Sequence, residues 1–325
     1  MIGARSGDER MHLSILNFFS PPGEAVALAA LCDRAGAFHR FWVGEHHTRD
    51  QVADPLALAL LTAATTKRIR VGTGAVSLTF RNPYLVAEAA ILAEFFFPGR
   101  VDLGVTSARA GASKEVVDML MDGADRDAVL GGYERRLTLL RDVLARERGT
   151  KDLSLGSVVS SGPPMFVMGT SEERARRAGE LGVGFVASFH HGGTAGTILA
   201  MMRAYRQCFR PSPLLEKPHG IVVVSGYVSD DPARREAAIA SAKRARAVAG
   251  VFDHTVSVYG DPAHAALELR RLAAEAEADE VMFLCDVEQE CEPCYLALAK
   301  GWMPPARKHG GETARRRASR PPHGK

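Results

Sequence analysis

The sequence predicts a single (β/α)8 TIM barrel of the α/β class, and three observations support this fold. Short, apolar, β-rich segments alternate with amphipathic segments along most of the 325 residues. The alternation gives eight strand–helix units without a series of hairpin turns. An open doubly wound sheet would need a Gly-x-Gly-x-x-Gly turn after its first strand, whereas residues 18–23 read FFSPPG. The barrel is therefore the predicted fold.

Apolar runs and helix-capping residues mark the elements of the first half. Strands are predicted at residues 12–18, 40–44, 69–75 and 101–105, and helices at residues 23–37, 54–66 and 84–97. The second helix opens on Asp54-Pro55, with a carboxylate as N-cap and proline at the first helical position. Asn82-Pro83 opens the third helix in the same way, and Pro98-Gly99 ends it.

The second half continues the same alternation after an irregular segment rich in Ala, Gly and Ser. An amphipathic helix is predicted at residues 133–147. The remaining strands are predicted at residues 165–168, 183–188, 220–228 and 280–285. The remaining helices are predicted at residues 172–181, 194–209, 232–248, 262–276 and 293–300.

Composition and charge indicate an ordinary globular protein with one unusual terminus. Hydrophobic residues make up 46% of the chain and charged residues 24%. The net charge is +3, but residues 303–325 hold seven Lys/Arg and one Glu, so the rest of the chain is slightly acidic. Because no basic stripe with interleaved aromatics occurs outside this segment, no nucleic-acid partner is expected. We predict a flexible N-terminus (1–10), one barrel domain (11–302) and a disordered basic tail (303–325).

Apolar patterning and cysteine usage indicate a cytoplasmic protein that does not bind membranes. No apolar run approaches the ~20 residues of a membrane span, and residues 1–10 lack the apolar core of a signal peptide. Five cysteines at irregular spacing argue against a disulfide framework. Cys291 and Cys294 have the spacing of a redox pair, but a chance pair at the start of the last helix is the favoured interpretation.

The second predicted strand runs directly into Glu45-His46-His47. In a parallel barrel the carboxyl ends of the strands converge on one rim, where functional residues lie. Neighbouring side chains on an extended segment point to opposite faces, so one histidine can face a pocket while the other packs behind it. Taken alone, this tripeptide is more simply interpreted as polar loop residues.

Other strand ends carry residues that suit a cofactor. The third strand ends in small residues (72–75, Gly-Thr-Gly-Ala), where a flat group could approach the backbone closely. Residues 169–171 (Gly-Thr-Ser) lie directly before a helix, and hydroxyls at a helix N-terminus suit a phosphate. Ser171 could equally be a simple helix cap. The sixth strand ends in a second histidine pair, residues 190–191.

Two common kinds of catalytic site are not predicted. No histidine pair has i, i+4 spacing with a carboxylate base, so no metal site is expected. A Gly-x-Ser-x-Gly nucleophile elbow is also missing, which argues against acyl transfer by a serine triad. With these two kinds of site excluded, the pattern indicates an apolar pocket with a phosphate-binding position and one or two histidines. Such a pocket suits an organic cofactor.

Several segments resemble the bacterial luciferase-like flavin monooxygenases. They read FWVGEHH, RVGTGAV and PGRVDLGV in the first half, FVMGTSEERARRAGELGVGFVASFHH in the middle, and GDPAHAALELRRLAAEAEADEVMFLCDV near the end. With the sequence between them they cover most of residues 11–300. The resemblance implies a barrel that binds reduced FMN, reacts it with O₂ and inserts one oxygen atom into a small organic substrate such as a specialised metabolite.

The resemblance also implies roles for individual residues. The family's catalytic histidine falls on His46, as a base or as the group that stabilises a flavin peroxide. After the fourth strand the family often has an arginine that reaches the flavin phosphate. Here Thr106-Ser107 occupy that place and Arg109 is displaced, so either Arg109 reaches the phosphate from its own position or Thr170 and Ser171 mainly hold it. The resemblance implies a non-proline cis bulge at Gly74-Ala75. The residues implied to bind the cofactor are Gly74, Ala75, Thr106, Ser107, Arg109, Gly169, Thr170 and Ser171.

Two other functions remain open at this point. The first is hydride transfer with a deazaflavin, and the second is a non-catalytic flavin-binding partner subunit. Since no dinucleotide fingerprint is present, reduced FMN would come from a separate flavin reductase or be formed with NAD(P)H that binds transiently. The resemblance implies a homodimer, for which the helix at residues 84–97 offers an apolar face, although Phe95, Phe96 and Phe97 are more simply interpreted as core residues.

Overall fold

The computed structural model describes residues 11–17, 20–47, 54–108, 111–146, 161–249 and 256–303. The flexible N-terminus predicted for residues 1–10 and nearly all of the predicted basic tail lie outside this part of the chain. Arg109 also lies outside it.

Within the described residues, nine parallel strands form one sheet, and eight of them close into a barrel. The strands are β1 His12–Asn17, β2 Arg40–Val43, β3 Arg70–Ser77, β4 Val101–Thr106, β5 Met165–Met168, β6 Gly184–Ser188, β7 Gly220–Val228, β8 Ser257–Gly260 and β9 Glu280–Cys285. Strands β1 to β7 follow one another around the barrel, and β9 closes it by pairing with both β7 and β1. The predicted (β/α)8 TIM barrel is confirmed. The short strand β8 was not predicted and pairs with the carboxyl-terminal half of β7.

Helices surround the barrel at the predicted places. They are α1 Pro22–Ala35, α2 Pro55–Thr65, α3 Pro83–Phe96, α4 Lys114–Met121, α5 Arg126–Gly131, α6 Tyr133–Leu144, α7 Glu172–Leu181, α8 Ala195–Cys208, α9 Pro232–Ala249, α10 Pro262–Glu275 and α11 Cys291–Trp302. Asp54 caps α2 and Asn82 caps α3, as predicted. The segment predicted to be irregular contains α4 and α5, and α4 begins after the N-cap Ser113. Among the described helices, none is both long and apolar enough to cross a bilayer.

The inside of the barrel is filled by apolar side chains from alternate strand positions. Trp42 and Phe166 pack edge to face there, with ring centroids 5.1 Å apart. The barrel-interior cluster consists of Leu16, Trp42, Phe166, Val186, Ile221, Val223, Met282 and Leu284. The larger apolar core lies between the strands and the surrounding helices. The barrel is therefore a packed core rather than a pore.

A buried ionic network lies at the amino-terminal end of the barrel. Arg40 contacts Asp102 at 2.6 Å and Glu280 at 3.0 Å. Arg70 also pairs with Asp102, at 2.5 Å, and His219 pairs with Glu280 at 2.9 Å. Burial disfavours the charged form of both carboxylates, but the adjacent cations outweigh it and lower the pKa of Asp102 and of Glu280. The network therefore stays charged and joins β2, β3, β4 and β9.

The two cysteines with redox spacing have a structural role. Cys291 is the first residue of α11, and both Cys291 and Cys294 are buried. The Val228 N–H donates to Cys294 Sγ at 3.3 Å. A hydrogen bond with Cys285, together with burial, raises the pKa of the Cys291 thiol. A thiol with a raised pKa is a poor nucleophile at neutral pH, which agrees with the interpretation favoured from the sequence.

Candidate cofactor site

A cavity of about 570 Å³ opens at the carboxyl ends of the barrel strands. Its floor is apolar and is formed by Leu16, Met168, Val186, Val223 and Leu284. Both its volume and its polar rim are typical of small-molecule and cofactor sites. All the predicted site residues that the structure describes line this cavity, namely His46, Gly74, Ala75, Thr106, Ser107, Gly169, Thr170 and Ser171. The structure therefore brings these residues together, while their individual roles stay predictions.

His46 follows β2 and lies half-buried on the cavity wall. Burial, together with the neighbouring His47, lowers its pKa from the ordinary value of 6.5. The imidazole of His46 is therefore neutral at pH 7. A neutral imidazole can accept a proton or a hydrogen bond from a ligand in the cavity.

Glu45 joins the ends of two strands beneath His46. Its side chain is 1% exposed, and Oε1 lies 2.8 Å from His47 Nε2. Oε2 accepts the Ser77 N–H at 2.8 Å and lies 3.3 Å from Arg81 Nε. The carboxylate thus fixes the end of β2 to the end of β3. His47 points toward this carboxylate and His46 lines the cavity, which is the division of roles expected for adjacent histidines.

A bulge in β3 forms the wall next to His46. The register of β3 against β4 shifts between Thr73 and Val76, and the peptide bond between Gly74 and Ala75 is cis. The cis bulge implied by the family resemblance is therefore present. A Cβ atom on Gly74 would lie 2.6 Å from Leu16 Cδ1, so a larger residue at this position would displace the cavity floor.

Hydrogen bonds from the end of β3 and the residues just after it position Ser107 and Ala108. The Thr79 hydroxyl donates to the Ser107 carbonyl at 3.0 Å, and the Ser77 hydroxyl donates to the Ala108 carbonyl. The end of β4 is thus held against the end of β3. Because Arg109 lies outside the described residues, its contact with a phosphate stays a prediction.

The connection from β5 to α7 forms another wall. The Ser171 hydroxyl accepts the Arg174 N–H at 3.2 Å and so caps α7. The helix-cap interpretation of Ser171 is confirmed, and Ser171 also lines the cavity beside Thr170. The N-terminus of α7 carries a partial positive charge, so this wall can hold an anion.

Three features of the cavity were missed or left unassigned in the sequence. Arg174 lines the wall, but in the sequence it resembles a solvent-facing residue of an amphipathic helix. Gly111 lies against His46, and an isolated glycine in an irregular segment gives no signal of such a contact. His190 and His191 also line the cavity, with ring centroids 5.4 Å apart. Among the residues that the structure describes, no group of His, Cys, Asp or Glu is arranged to hold a metal ion.

Replacing Gly111 with alanine is expected to displace His46. Gly111 has φ +66°, and a Cβ atom there would lie 2.3 Å from His46 Cε1. Gly123 offers a matched control, since its φ is +73° and nothing lies within 4 Å of the added Cβ. Both substitutions should cost about 1–2 kcal/mol of stability for the left-handed backbone. Only Gly111→Ala should also shift the imidazole signals of His46 in an NMR spectrum, and identical spectra for both variants would contradict the contact.

Fold and cavity together define a TIM-barrel protein with a cavity of small-molecule size at its rim. The sequence profile of the luciferase-like monooxygenase family matches residues 3–288. The chain belongs to this family, whose members are oxidoreductases.

Two relatives from Bacillus subtilis show the level of sequence similarity. The uncharacterized protein YwcH is 35% identical over 220 residues, which are 66% of this chain and 64% of YwcH. An N-acetyl-S-alkylcysteine monooxygenase is 33% identical over 186 residues, which are 55% of this chain and 54% of that protein. The matched region therefore spans less than two thirds of each of these relatives.

Solved structures share the fold at low sequence identity. Apo-MsnO8 superposes with a TM-score of 0.75 and 24% identity, covering 90% of this chain and 98% of that one. An F420-dependent secondary alcohol dehydrogenase, in complex with an F420–acetone adduct, has a TM-score of 0.70 and 15% identity, covering 91% and 100%. The oxygenating constituent of a Pseudomonas putida 3,6-diketocamphane monooxygenase, in complex with FMN, superposes with a TM-score of 0.65 and 14% identity. The match covers 89% of this chain and 96% of that one. The same barrel thus binds FMN in one neighbour and the deazaflavin F420 in another.

Proposed function

We propose that this chain is a flavin-dependent monooxygenase that uses reduced FMN and O₂ to oxygenate a small organic substrate. One observation carries the proposal. A single cavity is lined by a histidine whose pKa is lowered, a glycine–alanine bulge and the N-terminus of a helix, in a chain that belongs to the luciferase-like monooxygenase family.

The residues around the cavity fit FMN. The apolar floor and the glycine at position 74 suit a flat ring system, and the N-terminus of α7 beside Thr170 suits a phosphate. Reduced FMN supplies the electrons with which one atom of O₂ enters the substrate and the other becomes water. His46 acts as the proton acceptor, and Glu45 holds the strand ends that position it.

Hydride transfer with a deazaflavin is the second candidate, because a structural neighbour with this barrel carries F420. Such an enzyme would not consume O₂. A non-catalytic flavin-binding subunit is the third candidate, and it would bind oxidised FMN stably without turnover. Oxygen uptake during turnover therefore separates the first candidate from the second, and the lack of any turnover identifies the third.

The decisive experiment titrates the purified chain with reduced FMN under anaerobic conditions and then admits isotopically labelled O₂ together with a panel of small organic compounds. We expect binding of reduced FMN and transfer of one labelled oxygen atom to a compound of the panel. A parallel titration uses reduced F420. Failure to bind reduced FMN, or turnover with F420 that consumes no O₂, would overturn the proposal.

A separate flavin reductase supplies the reduced FMN in this proposal. The first βα turn lacks a dinucleotide fingerprint, and the Gly-x-Gly-x-x-Ala run at residues 182–187 leads into a strand rather than into a helix. Addition of a reductase to NADH and FMN should therefore start turnover. NADH and FMN without reductase should give no turnover, and turnover in that mixture would contradict this part of the proposal.

An apolar stripe on α3 supports a homodimer. The expectation that Phe95 and Phe96 belong to the core is wrong, because they are 46% and 61% exposed, whereas Phe97 packs against the core. Leu85 and Leu92 are exposed on the same helix, and their spacing relative to Phe96 puts these three side chains on one face. Exposed apolar stripes of this kind mark protein interfaces.

Replacing Phe96 with glutamate is expected to convert the dimer into a monomer, because a buried carboxylate at the interface would lack a partner. Light scattering after size-exclusion chromatography measures the mass. Leu267→Glu is the control, since Leu267 is 64% exposed on α10, and it should leave the dimer intact. A monomeric wild type, or a dimeric Phe96→Glu variant, would contradict an interface at this stripe.

A further inference from the structure

We infer that Arg174 supplies the positive charge that binds the flavin phosphate, and that Glu134 competes with the phosphate for this arginine. The inference rests on the proposed function and adds a residue that the family resemblance did not assign. It also predicts which chemical feature of the cofactor the site selects, namely a phosphate monoester.

Arg174 is positioned at the anion-binding wall by its place in α7 and by a neighbouring glycine. It is the third residue of α7, and among the described residues that line the cavity it is the only lysine or arginine. Its aliphatic stem lies across Gly169, where an added Cβ would be 2.4 Å from Arg174 Cγ. Glycine at position 169 therefore allows the arginine to lie along the end of β5, next to the N-terminus of its own helix.

The guanidinium of Arg174 is preorganised by α6. It stacks on the Tyr133 ring at 4.4 Å from the ring centroid, and it forms an ion pair with Glu134. Tyr133 is 3% exposed, so the ring is a fixed platform. Stacking on a fixed ring restricts the planar guanidinium and reduces the conformational entropy lost on binding an anion.

Glu134 can release Arg174 without losing its own charge partner. Its side chain is 51% exposed, and Oε2 also lies 3.2 Å from Arg177 Nε. Exposed ion pairs are weak because water competes for both charges. A phosphate in the cavity offers the guanidinium a bidentate, partly desolvated partner, which is a stronger interaction. We therefore expect Arg174 to exchange Glu134 for the phosphate when the cofactor binds.

The test compares FMN with riboflavin, which has the same ring system but no phosphate. Binding is measured from the quenching of flavin fluorescence at one fixed ionic strength. In the Arg174→Met variant, the Kd for FMN should rise about 10- to 100-fold, the usual loss for a hydrogen bond to a charged group. The Kd for riboflavin should not change, because the loss affects only the phosphate.

A second variant tests the competition between Glu134 and the phosphate for Arg174, and it should change the affinity for FMN in the opposite direction. Glu134→Gln removes the carboxylate that holds Arg174 in the absence of ligand, so FMN should bind about two- to five-fold more tightly, in line with the weakness of exposed pairs. Riboflavin binding should again be unchanged. This variant keeps the inference testable even if Arg174→Met fails to fold.

Arg177→Met is the matched control, because Arg177 also pairs with Glu134 from α7 but does not line the cavity. It should change FMN affinity by less than about twofold, as exposed pairs do. The inference is wrong if Arg174→Met binds FMN as tightly as the wild type does. It is also wrong if the preference for FMN over riboflavin is lost in Arg109→Met and kept in Arg174→Met. In both cases the proposed function stands. If the wild type binds neither FMN nor its reduced form, the proposed function itself fails.

Discussion

Replacing His46 with alanine should lower kcat/KM for substrate oxygenation by about 100- to 10,000-fold, the usual contribution of a positioned acid–base group. His46 lines the cavity, and its lowered pKa keeps the imidazole neutral at pH 7. A neutral imidazole offers a lone pair to a proton that the reaction must move. Its removal should leave the cavity able to bind reduced FMN, since the apolar floor and the α7 end do not depend on it.

The experiment uses a substrate identified in the oxygenation screen and measures steady-state kinetics and anaerobic binding of reduced FMN. His12→Ala is the matched control, because it removes an imidazole at the opposite, amino-terminal end of the barrel. It should not change kcat/KM. Unchanged kinetics in His46→Ala, with intact flavin binding, would show that another group moves the proton.

The pH dependence of the same reaction tests the direction in which the pKa of His46 is shifted. A base with a lowered pKa stays unprotonated as the pH falls below the ordinary histidine value of about 6.5. The decline in wild-type kcat/KM at acidic pH should therefore have its midpoint below pH 6.5. This decline should be missing from the residual activity of His46→Ala. A wild-type decline centred above pH 6.5 would contradict the assignment of His46 as the base.

The sequence predicts the barrel well because its strands are apolar and its helices are capped. Strand β7 is buried along its whole length, and its span is predicted without error. By contrast, β8 is four residues long and only alternate residues of it are buried, so it has too little apolar pattern to be recognised. Helix α4 was missed because the Ala-Gly-Ser run before it resembles a loop, although Ser113 is a normal N-cap.

The predicted site residues share a property that sequence patterns can reveal, because each lies in or just after the carboxyl-terminal part of a strand that is itself recognisable. His46, Thr106 and Ser171 reach the cavity for this reason. Arg174 and Gly111 reach it through tertiary contacts instead. The arginine depends on the ring of Tyr133, and the glycine depends on the imidazole of His46. Neither partner is near in sequence, so no local pattern could indicate these contacts.

The two ends of the barrel use buried charge in different ways. At the rim, Glu45 is buried to position a loop, and its loss would affect the site. At the amino-terminal end, Asp102 lies between Arg40 and Arg70 and is not among the residues that line the rim cavity. In TIM barrels the carboxyl-terminal rim holds the functional residues, and residues at the amino-terminal end contribute to stability. Substitutions at the amino-terminal end should therefore change the free energy of unfolding rather than cofactor binding.

Replacing Asp102 with asparagine should lower the free energy of unfolding by roughly 3–5 kcal/mol, the usual cost of breaking a buried ion pair. Asp102 is 1% exposed, and its removal leaves two guanidinium groups without their shared carboxylate. Urea-induced unfolding followed by circular dichroism measures the change. Asp118→Asn is the matched control, because it breaks an exposed pair with Lys114 of the same 2.6 Å length. Its cost should stay below about 1 kcal/mol.

The pH dependence of this difference follows from the lowered pKa of Asp102. In the unfolded chain an aspartate titrates near about 3.9, and in the folded chain Asp102 titrates lower. The stabilisation is therefore complete above the unfolded value and is lost as the pH falls through the folded value. The difference between wild type and Asp102→Asn should stay level from about pH 7 to pH 5 and shrink only below about pH 4. A difference that already declines at pH 6, or one no larger than that of Asp118→Asn, would mean that the network does not hold this end of the barrel together.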